Sequence, residues 1–242
     1  MMNILVIDTS TKRLCVGVLN QEAKLAEYNL NAGIRHTELL LPTIKRALRR
    51  VKLSLSEIDY FAVGLGPGSF TGLRIGLATV KGFAMSLKRP AVGLATLDTI
   101  ALNALPASSK IISPLLDAKR NLLYCALYEV DPKNRLKRRS PYLLINIEEL
   151  LNRLKPYKSV TLLGDGLSLY RERLEQRIKN GIFLNEDAWY PQAKNLINLA
   201  GDLIKKGRLS DAARIKPIYL YPKECQIRNA DIHRFKKVAS RE

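Results

Sequence analysis

Residues 60–88 run Y-F-A-V-G-L-G-P-G-S-F-T-G-L-R-I-G-L-A-T-V-K-G-F-A-M-S-L-K, an apolar strand signal, a glycine-proline turn and an amphipathic helix with nothing between them. Gly66, Pro67 and Gly68 force the turn, and Ser69 or Thr71 can cap the helix behind it. The segment is therefore strand, turn, helix, which commits this part of the chain to an α/β fold.

A glycine-rich turn at a helix start invites a phosphate, but the supporting residues are missing. A P-loop needs G-x-x-x-x-G-K-[ST], so that a lysine reaches the terminal phosphates while backbone amides hold the inner ones. Here the nearby cation is Arg74, inside the helix, and it does not fit that frame. The dinucleotide pattern G-x-G-x-x-G fails as well, because Gly68 is followed by Ser69, Phe70 and Thr71. The helix explains its glycines better. Leu73, Leu77, Val80, Ala84 and Leu87 make one apolar face, and Gly72, Gly76, Thr79 and Phe83 lie along an adjacent line. An interior glycine costs about 1 kcal/mol against alanine, so two on one ridge point to close packing that offsets the loss. A contact within the chain or a helix of another subunit satisfies that requirement equally.

The chain has 242 residues, enough to bury a sizeable core in one large domain or two ordinary ones. No signal peptide opens it and no apolar run approaches a membrane span, so the expectation is a cytoplasmic protein. Cys15, Cys125 and Cys225 are odd in number and far apart, which suits a reducing compartment and gives neither a disulfide framework nor a thiolate zinc site. His36 and His233 are the two histidines. The net charge of +18 is large, with basic clusters at residues 45–52, at 133–139 and in the tail from Lys223. Such clusters attract a polyanion, RNA foremost, although a solvated helix face would carry the same charge without any partner.

Along the chain, residues 3–8, 14–19 and 24–30 read as strands, 37–51 as a helix, 60–63 as a strand and 71–88 as a helix, a βββαβα unit. Leu40, Ile44, Ala47, Leu48 and Val51 form the first helix's core stripe, and Leu39 and Leu41 widen its apolar surface. A weaker version of the plan follows: strands at 111–117, 121–130 and 160–164, with helices at 147–155, 167–179 and 192–206. The order predicts two related α/β halves.

Four blocks, I-L-V-I-D-T-S-T at 4–11, H-T-E-L-L-L-P at 36–42, G-P-G-S-F-T-G-L-R-I-G at 66–76 and L-L-D-A-K-R at 115–120, resemble the bacterial TsaB (YeaZ) family. The match is dense over about the first 130 residues and thins to P-I-Y-L at 217–220. The resemblance implies an actin-like ATPase (ASKHA) fold of two RNase H-like halves, divided as 1–104 and 105–224, with a basic tail at 225–242. It also implies a non-catalytic partner subunit in making tRNA threonylcarbamoyladenosine, paired with a TsaD-type catalytic subunit and joined by a TsaE-type ATPase. No intrinsic cofactor follows from it, with ATP or ADP expected, if anywhere, at a subunit junction.

On that footing the helices at 37–51 and 71–88 are expected to dock the partner through His36, Leu39, Leu40, Ser69, Phe70, Thr71, Gly72, Arg74 and Gly76. The same face would make homodimers when the partner is absent. The related catalytic subunits hold a metal with H-x-x-x-H, and here Leu40 stands in the second place, so no metal site is expected. Asp8, Thr9, Ser10 and Asp117 fall where active members hold phosphate and magnesium, but the residues after Asp8 lack glycine, which suggests a degenerate nucleotide cleft. Asn121 and Leu122 stand where the family pattern has a glycine and an acidic residue, and Tyr221 where it has arginine. Lys137, Arg138 and Arg139 are the candidate tRNA contacts. The rival reading is an actin-like enzyme, either an ATP-dependent kinase or a metal-dependent peptidase resting on His36.

Overall fold

The computed structural model describes residues 2–221. The basic tail at 225–242, with Cys225 and His233, lies outside the described residues. Strands β1 (Ile4–Asp8), β2 (Arg13–Leu19) and β3 (Leu25–Asn31) form an antiparallel meander. Helix α1 (His36–Arg50) then crosses to β4 (Tyr60–Gly64), and α2 (Phe70–Ser86) crosses to β5 (Ala91–Leu94). Both β4 and β5 run parallel to β1, giving the sheet order β3-β2-β1-β4-β5.

The second half repeats this arrangement. Strands β6 (Ile111–Lys119), β7 (Leu122–Cys125) and β10 (Leu143–Ile145) make the meander, and β11 (Val160–Leu163) and β12 (Gly181–Phe183) add in parallel, in the order β10-β7-β6-β11-β12. Helix α4 (Ile147–Leu154) precedes β11 and α5 (Leu167–Arg177) follows it. Two short strands, β8 (Tyr128–Val130) and β9 (Leu136–Arg138), form a hairpin on the edge of β6. The single strand expected at 121–130 is thus two, both paired with β6, with Ala126 and Leu127 interrupting the ladder between them.

Each half lends a helix to the other. The first sheet has α1 and α2 on one face, and its other face is covered by α6 (Ala193–Lys205), whose Leu196, Ile197, Ala200 and Ile204 pack on Ile4, Val6, Val92 and Leu94. Helix α3 (Thr96–Ala101) instead places Leu97, Ile100 and Ala101 against Ile112, Leu116 and Tyr128 of the second sheet. The division into 1–104 and 105–224 is therefore corrected in space: α3 packs with the second half and α6 with the first. Burial decides this, since both faces of each sheet are apolar and one pair of helices covers only one of them. Two duplicated sheets exchanging a helix make the actin-like ATPase arrangement.

Side-chain ties fix α3 to the second half and join the two halves at Lys12. Tyr128 and Tyr142 hydroxyls donate to Asp98 on α3 at 2.6 and 2.9 Å, Lys12 Nζ meets Glu186 at 3.0 Å, and Asn103 Nδ2 donates to the Tyr190 carbonyl at 2.7 Å. No helix among the described residues is long and apolar enough to cross a membrane.

Candidate functional site

The C-terminal ends of β1 and β4 bring the expected cleft residues together with the glycine turn. Asp8 is wholly buried. Its Oδ1 accepts from the Ser10 amide at 2.7 Å and the Ser10 hydroxyl at 2.6 Å, and the Thr96 hydroxyl lies 3.3 Å from Oδ2. Gly64 walls the other side, where a methyl group would overlap the carboxylate. Burial pushes the Asp8 carboxyl above its usual range, against the opposing effect of the Ser10 and Thr96 hydrogen bonds.

Two amides that could meet a phosphate, those of Ser10 and Ser69, are occupied as well. At the start of α2 the Ser69 amide donates to the Ser10 carbonyl at 2.7 Å, and Ser69 Oγ caps the helix by accepting from Gly72 at 3.2 Å. Thr9 Oγ1 donates to the Gly72 carbonyl at 2.7 Å. Thr9, Ser10 and Thr11 are buried.

This carboxylate gives a test with a defined sign. A raised folded-state value means that the ionised form is penalised in the fold, so the native chain loses relative stability as pH rises from the ordinary aspartate range through the folded value. Asp8→Asn should therefore melt higher than the native chain at pH 7–8, with the difference closing as pH falls toward about 4. Thermal melts across that range check it; an Asn variant less stable at neutral pH would mean that a charge at Asp8 is needed.

Across the cleft, Asp117 lies near the end of β6, beside an irregularity in its pairing with β7, with its carboxylate 2.5 Å from Lys119 Nζ, and its amide donates to Asp165 at 2.9 Å. Asp165 belongs to the Gly164-Asp165-Gly166 turn between β11 and α5. Burial raises its carboxyl, opposed first by the hydrogen bond from the Asp117 amide and then by Lys119 and Lys12, while the Asp117 charge adds to the rise. Asn121 has φ +60, a left-handed position suited to glycine and tolerated by asparagine, which accounts for the substitution there. Tyr221 donates its hydroxyl to the Ala118 carbonyl of β6 at 2.8 Å. Among the described residues no group of three His, Cys, Asp or Glu side chains could hold a metal.

The expected docking residues divide into two sets. Gly72 and Gly76 are buried and face β1: a methyl group at Gly72 would overlap the Thr9 carbonyl and one at Gly76 the Thr9 hydroxyl. Leu40 is in the core under α1, and His36 is buried with its Nε2 unpartnered among the described residues. These four are corrected from docking residues to internal ones, because the close approach that the glycines permit is to their own β1 loop. Leu39 is partly buried against the same core. Ser69, Phe70, Thr71 and Arg74 are exposed, with the Arg74 guanidinium 3.8 Å from the Phe70 ring centroid and Phe70 stacked 5.4 Å from Tyr219.

Beside Thr71, the outward face of α2 carries residues that sequence reasoning passed over. Thr71, Ala78, Gly82 and Met85 are exposed along one line, and Met85 is 58% exposed. A methyl group at Gly82 would meet nothing within 4 Å. Beside this line Phe83 shares a groove with Leu41 and Pro42 of α1, rimmed by Lys45, Arg46 and Arg49. Gly82 is thus a mid-helix glycine that the fold itself does not require, a signal visible in the sequence but masked by the two glycines before it.

The three basic candidates also differ. Arg138 stacks 3.9 Å above the Tyr142 ring and faces Asp98, Arg139 pairs with Glu129, and Lys137 is exposed.

Comparison with known proteins agrees with this architecture. The family model for TsaD, tRNA N6-adenosine threonylcarbamoyltransferase, matches residues 30–222. The tRNA threonylcarbamoyladenosine biosynthesis protein TsaB of Bacillus subtilis (strain 168) is 28% identical over 90% of this chain and 94% of its own length. Its namesake in Buchnera aphidicola subsp. Schizaphis graminum is 31% identical over 80% of this chain and 90% of its own. The solved structure of YeaZ from Pseudomonas aeruginosa superposes with a TM-score of 0.80 at 27% identity, covering 91% of this chain and all of that one. Within the wider family that the TsaD model describes, the chain belongs to the TsaB (YeaZ) family.

Proposed function

We propose that this chain is the non-catalytic partner subunit of a tRNA threonylcarbamoyladenosine complex, docked to a TsaD-type transferase through the outer faces of α1 and α2. The relatives' shared name supports the pathway. The observation that carries the docking surface is the Ala78–Gly82–Met85 line: an interior glycine costs about 1 kcal/mol in a helix, and at Gly82 no internal contact offsets it. A helix of another subunit approaching there would supply the contact. Two copies of the same face would meet as a homodimer when the partner is absent.

The buried Asp8 carboxylate, held by Ser10 and Thr96, supports a non-catalytic role, because an actin-like phosphotransferase needs an accessible carboxylate at that place. The peptidase reading rests on His36, whose would-be partner position is the core residue Leu40. A TsaE-type ATPase would join the pair, ATP or ADP would sit at a subunit junction, and the cytoplasm is where the tRNA is met. Reconstitution with TsaD- and TsaE-type partners tests the reading. Threonylcarbamoyladenosine formation should require this chain, which by itself should turn over no ATP. Full modification in its absence, or rapid turnover by the isolated chain, would overturn it.

A further inference from the structure

We infer that a basic furrow on the second half is an RNA-binding track, a proposal that rests on the chain serving a tRNA-modifying complex. Three depressions adjoin there. One is lined by Lys110, Lys137 and Arg139 with Glu129 and Asp131. The next shares Lys110, Glu129 and Arg139 and continues to Tyr157 and Lys158. The third shares Tyr157 and Lys158 and reaches Lys155, Arg177 and Lys179. Shared walls make them one continuous furrow, running from the β8–β9 hairpin past the α4–β11 connection to the end of α5. Arg138, although adjacent in sequence, is turned away onto Tyr142.

Seven cations line this path against two carboxylates. Glu129 is shared between Lys110 and Arg139 and cannot neutralise both. Lys137, Lys155, Lys158, Arg177 and Lys179 are exposed, and none of the ion pairs among the described residues includes them. Like charges held in a row repel one another, and a linear polyanion relieves that repulsion while releasing its own counterions. Tyr157, 36% exposed at the middle of the furrow, offers a ring on which a base can stack. Consecutive cations around an exposed aromatic suit a nucleic-acid strand better than the scattered carboxylates of a protein surface.

The test measures binding of a tRNA transcript to the full chain across a salt series. Lys155→Ala/Lys158→Ala/Lys179→Ala should flatten the log K against log salt slope by about 2 and weaken binding about tenfold or more at physiological salt. An equal-charge control, Lys205→Ala/Lys206→Ala/Arg208→Ala beyond the furrow, should leave the slope unchanged. Tyr157→Ala should lose about tenfold in affinity with the slope kept, as loss of a stacked base does. Equal losses in both triple variants, or none in the furrow variant, would overturn the track. Competition by polyglutamate as strong as by RNA would also overturn it, assigning the furrow to an acidic protein. Furrow variants that fail to bind less tightly yet still pair with the TsaD-type subunit refute the track alone, whereas tRNA modification without this chain refutes the reading beneath it.

Discussion

Gly72→Val should lower the stability of the isolated chain by about 3 kcal/mol, whereas Gly82→Ala on the same helix should raise it by roughly 0.5–1 kcal/mol. The helix pays the propensity cost of glycine at both places, so propensity alone predicts a gain from both changes. At Gly72 the added carbons run into the Thr9 carbonyl, a main-chain atom fixed by β1 on one side and by the Ser10–Asp8 hydrogen bonds on the other. Relief requires α2 to lift from the sheet, which also breaks the Thr9–Gly72 and Ser69–Ser10 hydrogen bonds. At Gly82 the new methyl group enters open space. For a chain of this size about 2–4 °C accompanies each kcal/mol, so the melting midpoints should part by about 7–16 °C. Melts at one fixed protein concentration, with homodimers avoided by dilution, check it. Shifts of the same sign would show that the two glycines do the same work.

Ala78→Glu should abolish co-purification with the TsaD-type subunit, a loss of 100-fold or more in affinity, while leaving the melting midpoint within about 2 °C of the native value. Ala78 is exposed, and glutamate is a good helix former, so the isolated fold loses almost nothing. In a helix-to-helix interface the same carboxylate would be buried without a partner, and its steric bulk would hold the helices apart at Gly82. An unpaired buried charge costs about 3–5 kcal/mol, which is the source of the expected factor. Pull-down and titration calorimetry on the complex read the result. Pairing that survives Ala78→Glu with native affinity would remove the outer face of α2 as the docking surface.

The contrast between Gly72 and Ala78 also shows where the sequence was readable. Period and punctuation located β1 to β4, α1, α2, α4, α5 and α6 to within about two residues, because each is an apolar run or stripe bounded by turn residues. Strand β5, the three-residue strands β9, β10 and β12, and α3 carried too few residues to show a period. The exchange of α3 and α6 could not be read at all, since an amphipathic stripe declares that a face is buried and not which sheet buries it. The same ambiguity governed the glycine ridge. Gly72 and Gly76 announced close packing correctly, but the neighbour is the Thr9 backbone, sixty residues earlier in the chain, and only the fold brings it there. Asp8 and Asp117 were found as strand-end carboxylates, while the Thr96 hydroxyl beside Asp8 and the Asp117 amide's bond to Asp165 depended on long-range geometry.

The ties between the halves give the molecule a further property. Here Lys12 reaches Glu186 across the join, and each half is roofed by the other's helix. A subunit seated on α2 and a strand laid beside Tyr157 would therefore be kept at a set spacing, and the chain would serve as a ruler.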